Sequence, residues 1–154
     1  MSQPPTINVM LVDDSAVIRG MITKALSESP NIKIVASAMN GQVALNELER
    51  QKIDVILLDQ EMPEMDGITA LPKLVAASPE TKIIMVSALT SKGAEMTIRA
   101  LKLGATDCIA KPSQSRDKDE LQKFFTKLRD KIAALFPSHG SATMAQNTVI
   151  PSQL

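Results

Sequence analysis

The sequence predicts an α/β fold: a doubly wound parallel sheet of five strands with helices on both faces. Three observations predict it. Five short apolar runs alternate with five longer amphipathic stretches. The short runs are almost continuously apolar, as strands buried on both faces require. Turn residues bound them, and right-handed crossovers then leave few topologies.

In chain order, Ile7–Val12 is predicted as the first strand, Lys33–Ala38 as the second, Val55–Leu58 as the third, Lys82–Val86 as the fourth and Asp107–Ala110 as the fifth. Each is brief and mostly β-branched or Leu/Met-rich. Between them, Ile18, Ile22, Ala25 and Leu26 mark one face of a first helix. Ala44, Leu45 and Leu48 mark a second, and Ile68, Leu71, Leu74 and Val75 a third. Ala94, Ile98 and Leu101 mark the fourth. Leu121, Phe124, Phe125, Leu128, Ile132, Leu135 and Phe136 repeat at helical spacing and make the fifth the clearest of all.

The chain has 154 residues, enough for one domain and a tail. Residues 1–6 read as an N-terminal extension, 7–136 as the domain, and Pro137–Leu154 as a mobile tail or severed linker rich in Ser, Thr, Gln, Asn and Pro. The 17 basic and 17 acidic residues cancel, so nucleic acid is not an expected partner. One cysteine cannot form an internal disulfide, which suits a reducing compartment. No signal peptide and no membrane-spanning run is found, so a cytoplasmic protein without a membrane partner is expected. Tyr and Trp are absent and all three Phe lie near the C-terminus, which argues against a flavin carrier or a base-stacking surface.

The polar residues carry the function. Asp13 and Asp14 follow the first strand, Asp59 ends the third, Ser87 the fourth and Lys111 the fifth. Open α/β sheets form their sites at the carboxyl ends of strands, beside the topological switch point. With strand order 2-1-3-4-5, the first and third strands are neighbours there, and three carboxylates meet a hydroxyl and an ammonium. Such carboxylates repel one another without a cation. Mg²⁺, a hard ion wanting oxygen ligands, is the natural one. A carboxylate can also attack phosphorus to give an aspartyl phosphate, whose charge Mg²⁺, Lys111 and Ser87 would stabilise.

Each residue alone has an ordinary explanation. Asp13, Asp14 or Ser15 can cap the first helix, Asp66 before Gly67 can cap the third, and Lys111–Pro112 can be a turn. Their joint placement at one sheet edge weighs against coincidence.

Val12-Asp13-Asp14-Ser15, Leu58-Asp59-Gln60-Glu61-Met62-Pro63, Met65-Asp66-Gly67, Val86-Ser87-Ala88 and Lys111-Pro112 together resemble the signature of response-regulator receiver domains. The resemblance covers about Ile7 to Phe136. The runs Asp14–Gly20, Asp59–Gly67, Ser87–Glu95 and Ala100–Asp107 are similar to the receiver half of chemotaxis methylesterases of the CheB type. It implies a CheY-like (flavodoxin-like) fold with strand order 2-1-3-4-5. It implies Asp59 as phosphoacceptor for a histidine kinase. Asp14, Asp59 and the Glu61 carbonyl would ligate Mg²⁺, with Asp13 acting largely through water. Ser87 and Lys111 would contact the phosphoryl group, Glu61 and Leu89 would border the path of the attacking water, and the Lys111–Pro112 peptide would be cis. The output face would be the fourth helix, fifth strand and fifth helix, directed at a downstream protein or an effector domain.

The esterase machinery is not expected in this chain. A Ser-His-Asp hydrolase needs a histidine base, and the one histidine is His139, in the tail. The chain reads either as part of a longer methylesterase or as a single-domain regulator of that descent. One position departs from the pattern: receivers usually carry an aromatic residue three before the site lysine, and here it is Cys108. The competing reading is an Mg²⁺-dependent aspartyl-phosphate phosphatase, because Glu61 lies two residues after Asp59. Those enzymes usually put the nucleophile on the first strand. A DNA-binding regulator is disfavoured by the short stretch after Phe136.

Overall fold

The computed structural model describes residues 6–88, 91–112 and 117–136. The strands are β1 (Ile7–Val12), β2 (Ile32–Ala38), β3 (Val55–Asp59), β4 (Lys82–Ala88) and β5 (Asp107–Lys111). The helices are α1 (Ala16–Leu26), α2 (Gly41–Arg50), α3 (Gly67–Ala77), α4 (Ser91–Lys102) and α5 (Lys118–Leu135). The sheet is parallel in order β2-β1-β3-β4-β5, as expected. Observed strands run up to two residues longer than the sequence reading because hydrogen-bonded pairing continues onto the polar ends: Asp59 pairs with Val86, and Ala88 with Lys111.

Strand alternation divides the core in two. Ile7, Val9, Leu11, Val55, Leu57, Ile84 and Val86 face α1 and α5, where they meet Ile22, Leu26, Phe124, Phe125, Leu128 and Ile132. Met10, Val12, Ile56, Leu58, Ile83 and Met85 face α2, α3 and α4, where they meet Ala44, Leu71, Leu74 and Ala100. Both faces of the central strands are dry, which is why their sequences read as continuous apolar runs.

Two expectations are corrected. Ala94, Ile98 and Leu101 were predicted to mark the packed face of α4, but Ala94 is exposed and Ile98 and Leu101 are 58% and 48% exposed. The helix instead presents Gly93 and Ala100 to the domain, with Met96 partly covered. Both sets step at i, i+3 or i+4, and i+7, so periodicity fits either; α4 uses small residues to approach β4 and β5 closely. The Lys111–Pro112 peptide, expected cis, is trans, like every other described peptide bond. The two isomers of an X–Pro bond differ intrinsically by only about 0.5–1 kcal/mol, so a dipeptide alone does not decide between them. The expected tail, 137–154, lies outside the described residues, as do residues 1–5 of the extension. Among the described residues, no helix is long and apolar enough to cross a membrane.

Candidate functional site

The chain reverses after β1 by an interlocked cap. Ser15 is the N-cap of α1 and accepts from the Ile18 N–H at 3.2 Å, while the Asp13 carboxylate accepts from the Ser15 N–H at 2.8 Å. Asp14 makes neither contact and stands exposed. After β3, the N-cap of α3 is Asp66, accepting from the Thr69 N–H at 2.9 Å, as one reading of the sequence allowed. Asp59 ends β3 at 3% exposure, and Ser87 lies buried near the end of β4.

The side chains converge as the sequence suggests. One carboxylate oxygen from each of Asp13, Asp14 and Asp59 lies within 4.8 Å of the others. Lys111 reaches back from the end of β5 to put its Nζ 2.8 Å from Asp59 Oδ1. The same Nζ lies 3.5 Å from a carboxylate oxygen of Glu61, which is half exposed. Ser87 pairs with Ala110 in the β4–β5 register, one position before the Ala88–Lys111 pair. Leu89 lies outside the described residues.

Burial dominates the electrostatics. It pushes the Asp59 carboxyl up to about 6, with the neighbouring Asp13 and Glu61 charges adding to the rise and the Lys111 hydrogen bond opposing it. Burial likewise raises Asp13 against the pull of its Ser15 hydrogen bond and the Lys111 charge. For Lys111 burial acts downward, but the Asp59 hydrogen bond and the charges of Asp59, Asp13 and Glu61 outweigh it and hold the ammonium above its ordinary value. The two partners of the ion pair therefore move in the same direction for different reasons. This arrangement fits a hard divalent cation: three converging carboxylates, two of them buried and costly to ionise together, are what such an ion relieves.

The profile described as "Response regulator receiver domain" matches residues 9–124. The chain belongs to this family. The receiver is 56% identical over 127 residues to a protein-glutamate methylesterase/protein-glutamine glutaminase of group 2 operon from Rhodospirillum centenum, over 82% of this chain and 32% of that protein. It is 51% identical over 129 residues to protein-glutamate methylesterase/protein-glutamine glutaminase 1 of Rhodospirillum rubrum, over 84% of this chain and 33% of that one. The chain thus spans about a third of the length of these curated relatives. Among solved structures, the response regulator domain of Thermotoga maritima CheB is similar at 40% identity and TM-score 0.75, over 84% of this chain and 95% of that one. A CheX–CheY–BeF3–Mg²⁺ complex from Borrelia burgdorferi is similar at 28% identity and TM-score 0.70, over 86% and 90%. This is a receiver domain of the CheB type.

Two residues of the receiver's site were quoted in the motifs without being given a part. The Arg19 guanidinium donates to the Asp13 carbonyl at 2.5 Å, tying the second turn of α1 to the end of β1. Gln60 is a buried amide, 6% exposed, between Asp59 and Glu61. A polar residue extending an otherwise apolar strand was the available signal for Gln60; nothing in the sequence marked the Arg19 contact. Cys108 is half-buried beside α4, with its Sγ 3.8 Å from the Thr97 carbonyl, and burial pushes its thiol up. It behaves as the small packing residue expected of a lone cysteine.

Proposed function

We propose that Asp59 accepts a phosphoryl group from a phosphohistidine of a histidine kinase and thereby switches a protein-interaction surface. The observation that carries this reading is the buried Asp59 carboxylate, 2.8 Å from Lys111 and clustered with Asp13 and Asp14 at the carboxyl edge of the sheet. An Asp59 oxygen attacks phosphorus and forms the aspartyl P–O bond. The P–N bond to the donor imidazole breaks, and the imidazole keeps the electron pair. Mg²⁺, when bound by Asp14, Asp59 and the Glu61 carbonyl, supplies charge neutralisation for the transferring group. Asp13 would help position the ion indirectly; its engagement by the Ser15 N–H supports that role. The Lys111 ammonium follows the negative charge from the carboxylate to the phosphoryl oxygens, and the Ser87 hydroxyl donates to another. Glu61 borders the approach of the hydrolytic water.

Residues 7–136 form the switching unit, followed by 137–154 as a tail or severed linker. The output face is α4, β5 and α5; the outward Ile98 and Leu101 support this, since a partner would cover them. The effector is a methylesterase domain of the kind that makes up the rest of the relatives, acting in chemotaxis in the cytoplasm. No geometric feature favours the phosphatase reading: the nucleophile ends β3, not β1.

Incubation with acetyl phosphate and Mg²⁺ followed by intact-mass measurement tests the assignment. One phosphoryl group per chain is expected in the parent and none in Asp59→Asn. Full labelling of Asp59→Asn would exclude Asp59 as the acceptor, and multiple turnover of p-nitrophenyl phosphate would favour the phosphatase.

A further inference from the structure

We propose that Gln60 is a positioning residue for the divalent cation, wiring the metal-binding end of β3 to the cap of α3 and setting the affinity of the site. The inference rests on the proposed function, in which Asp59 and the Glu61 carbonyl are cation ligands. Gln60 is the residue between them.

The backbone N–H, the carbonyl and the side-chain oxygen of Gln60 are all engaged. Its N–H donates to the Val86 carbonyl at 2.9 Å, which continues the β3–β4 ladder one residue past Asp59. Its carbonyl accepts from the Gly67 N–H at 3.0 Å, and its side-chain Oε1 accepts from the Ile68 N–H at 2.8 Å. Its side-chain amide lies beside the Asp66 carboxylate and helps hold that carboxyl below its ordinary value. One side chain therefore closes an eight-residue loop by satisfying an orphan N–H of the α3 first turn and bracing that helix's N-cap.

The loop has little room to relax. A Cβ on Gly67 would stand 2.6 Å from the Asp59 carbonyl oxygen and 2.9 Å from the Gln60 Cα, so α3 begins in direct contact with the backbone of the acceptor. Within the loop, Glu64 is held at φ 70°, a left-handed conformation that a non-glycine residue adopts only when its surroundings impose it. Outer contacts of this kind orient ligands, and their loss lowers metal affinity by roughly 10- to 100-fold. An apolar side chain at position 60 would fill the same space but leave the Ile68 N–H without its acceptor and the Asp66 carboxylate without the amide. The loop carrying the Glu61 carbonyl would then no longer be held to α3 on both sides.

The test is calorimetric titration of the full chain with MgCl2. Gln60→Met keeps the volume and removes the acceptor of the Ile68 N–H together with the amide beside Asp66; about a tenfold weaker Kd than the parent is expected. Asp66→Ser retains a capping hydroxyl but is too short to meet the Gln60 amide. It should weaken binding in the same direction by about threefold, and it keeps the test open should Gln60→Met fold poorly. Leu74→Val, which loosens the core face of α3 away from the site, should lower the melting temperature while leaving Kd within twofold of the parent. If Gln60→Met and Asp66→Ser melt earlier yet bind Mg²⁺ like the parent, Gln60 is only a helix cap and the inference fails. If the parent itself shows no Mg²⁺ binding, the proposed function fails, and this inference with it.

Discussion

At the scale of single residues, the site is held in a state of electrostatic tension that has a measurable sign. The Asp59 carboxyl sits at about 6 in the folded chain against an ordinary 3.8. The folded state therefore holds this proton more tightly than the unfolded chain does. Its contribution to stability is fully present below the unfolded value and is lost as pH rises from about 4 to about 6, where it levels off. The loss amounts to about 3 kcal/mol at one pKa unit per 1.36 kcal/mol. Without a divalent cation, Asp59→Asn should accordingly be more stable than the parent at pH 7, by up to about 3 kcal/mol, and equal to it near pH 4. Urea denaturation at the two pH values checks this. An Asn variant that is no more stable at pH 7 would mean that the Lys111 ion pair fully compensates burial. The carboxylates themselves were legible in the sequence because they end or directly follow a strand. Gln60 and Arg19 were not, because their parts depend on which backbone groups they meet: an N–H eight residues on and a carbonyl six residues back. No spacing rule encodes either contact.

At the scale of elements, capping and the proposed ligation fall to neighbouring residues. Ser15 caps α1, while Asp14 stays out of the cap and exposed. Ser15→Ala should cost about 1 kcal/mol of stability, the usual value of a lost N-cap, and leave Mg²⁺ affinity close to the parent's. Asp14→Ala should do the reverse, weakening Mg²⁺ binding with no loss of stability and even a gain from relieved repulsion. Paired melting and titration of the two variants separate the roles; unchanged Mg²⁺ affinity in Asp14→Ala would remove Asp14 from the ligand set. The turn from α4 to β5 offers a second element-scale check. Gly104 has φ +115°, and a Cβ there would press to 3.1 Å on Val75. Gly104→Ala is expected to destabilise by about 1–3 kcal/mol through the strained backbone conformation, with phosphorylation intact. Strand identity was readable throughout, since a run such as Val55–Leu58 offers no helical alternative of that length. The packed face of α4 was not, because its true contacts are Gly93 and Ala100. Reading by side-chain size selects the bulky residues that the helix instead turns outward.

At the scale of the whole molecule, the proposed function raises the question of how a phosphoryl group on Asp59 would reach the face carrying Ile98 and Leu101. A bound phosphoryl group shifts a conformational equilibrium only through interactions that differ between two states. Two routes leave the site. One passes along β5, where Cys108 stands in place of the usual aromatic residue and touches the Thr97 carbonyl of α4 with its sulfur. The other passes through the end of β4: the Val86 carbonyl accepts from the Gln60 N–H beside Asp59, Ser87 follows, and Gly93 is buried two residues into α4. Cys108 is small and only half covered, so it has little volume with which to brace a rearrangement. The β4 route couples directly to backbone. Saturation with beryllofluoride and Mg²⁺, as a mimic of the phosphoryl group, should therefore move the amide resonances of Val86, Ser87 and the first turns of α4 more than those of Asp107 to Ala110. Cys108→Ala should preserve that pattern. Large shifts confined to β5, with Ser87 and α4 silent, would place the switch in β5 and refute this route.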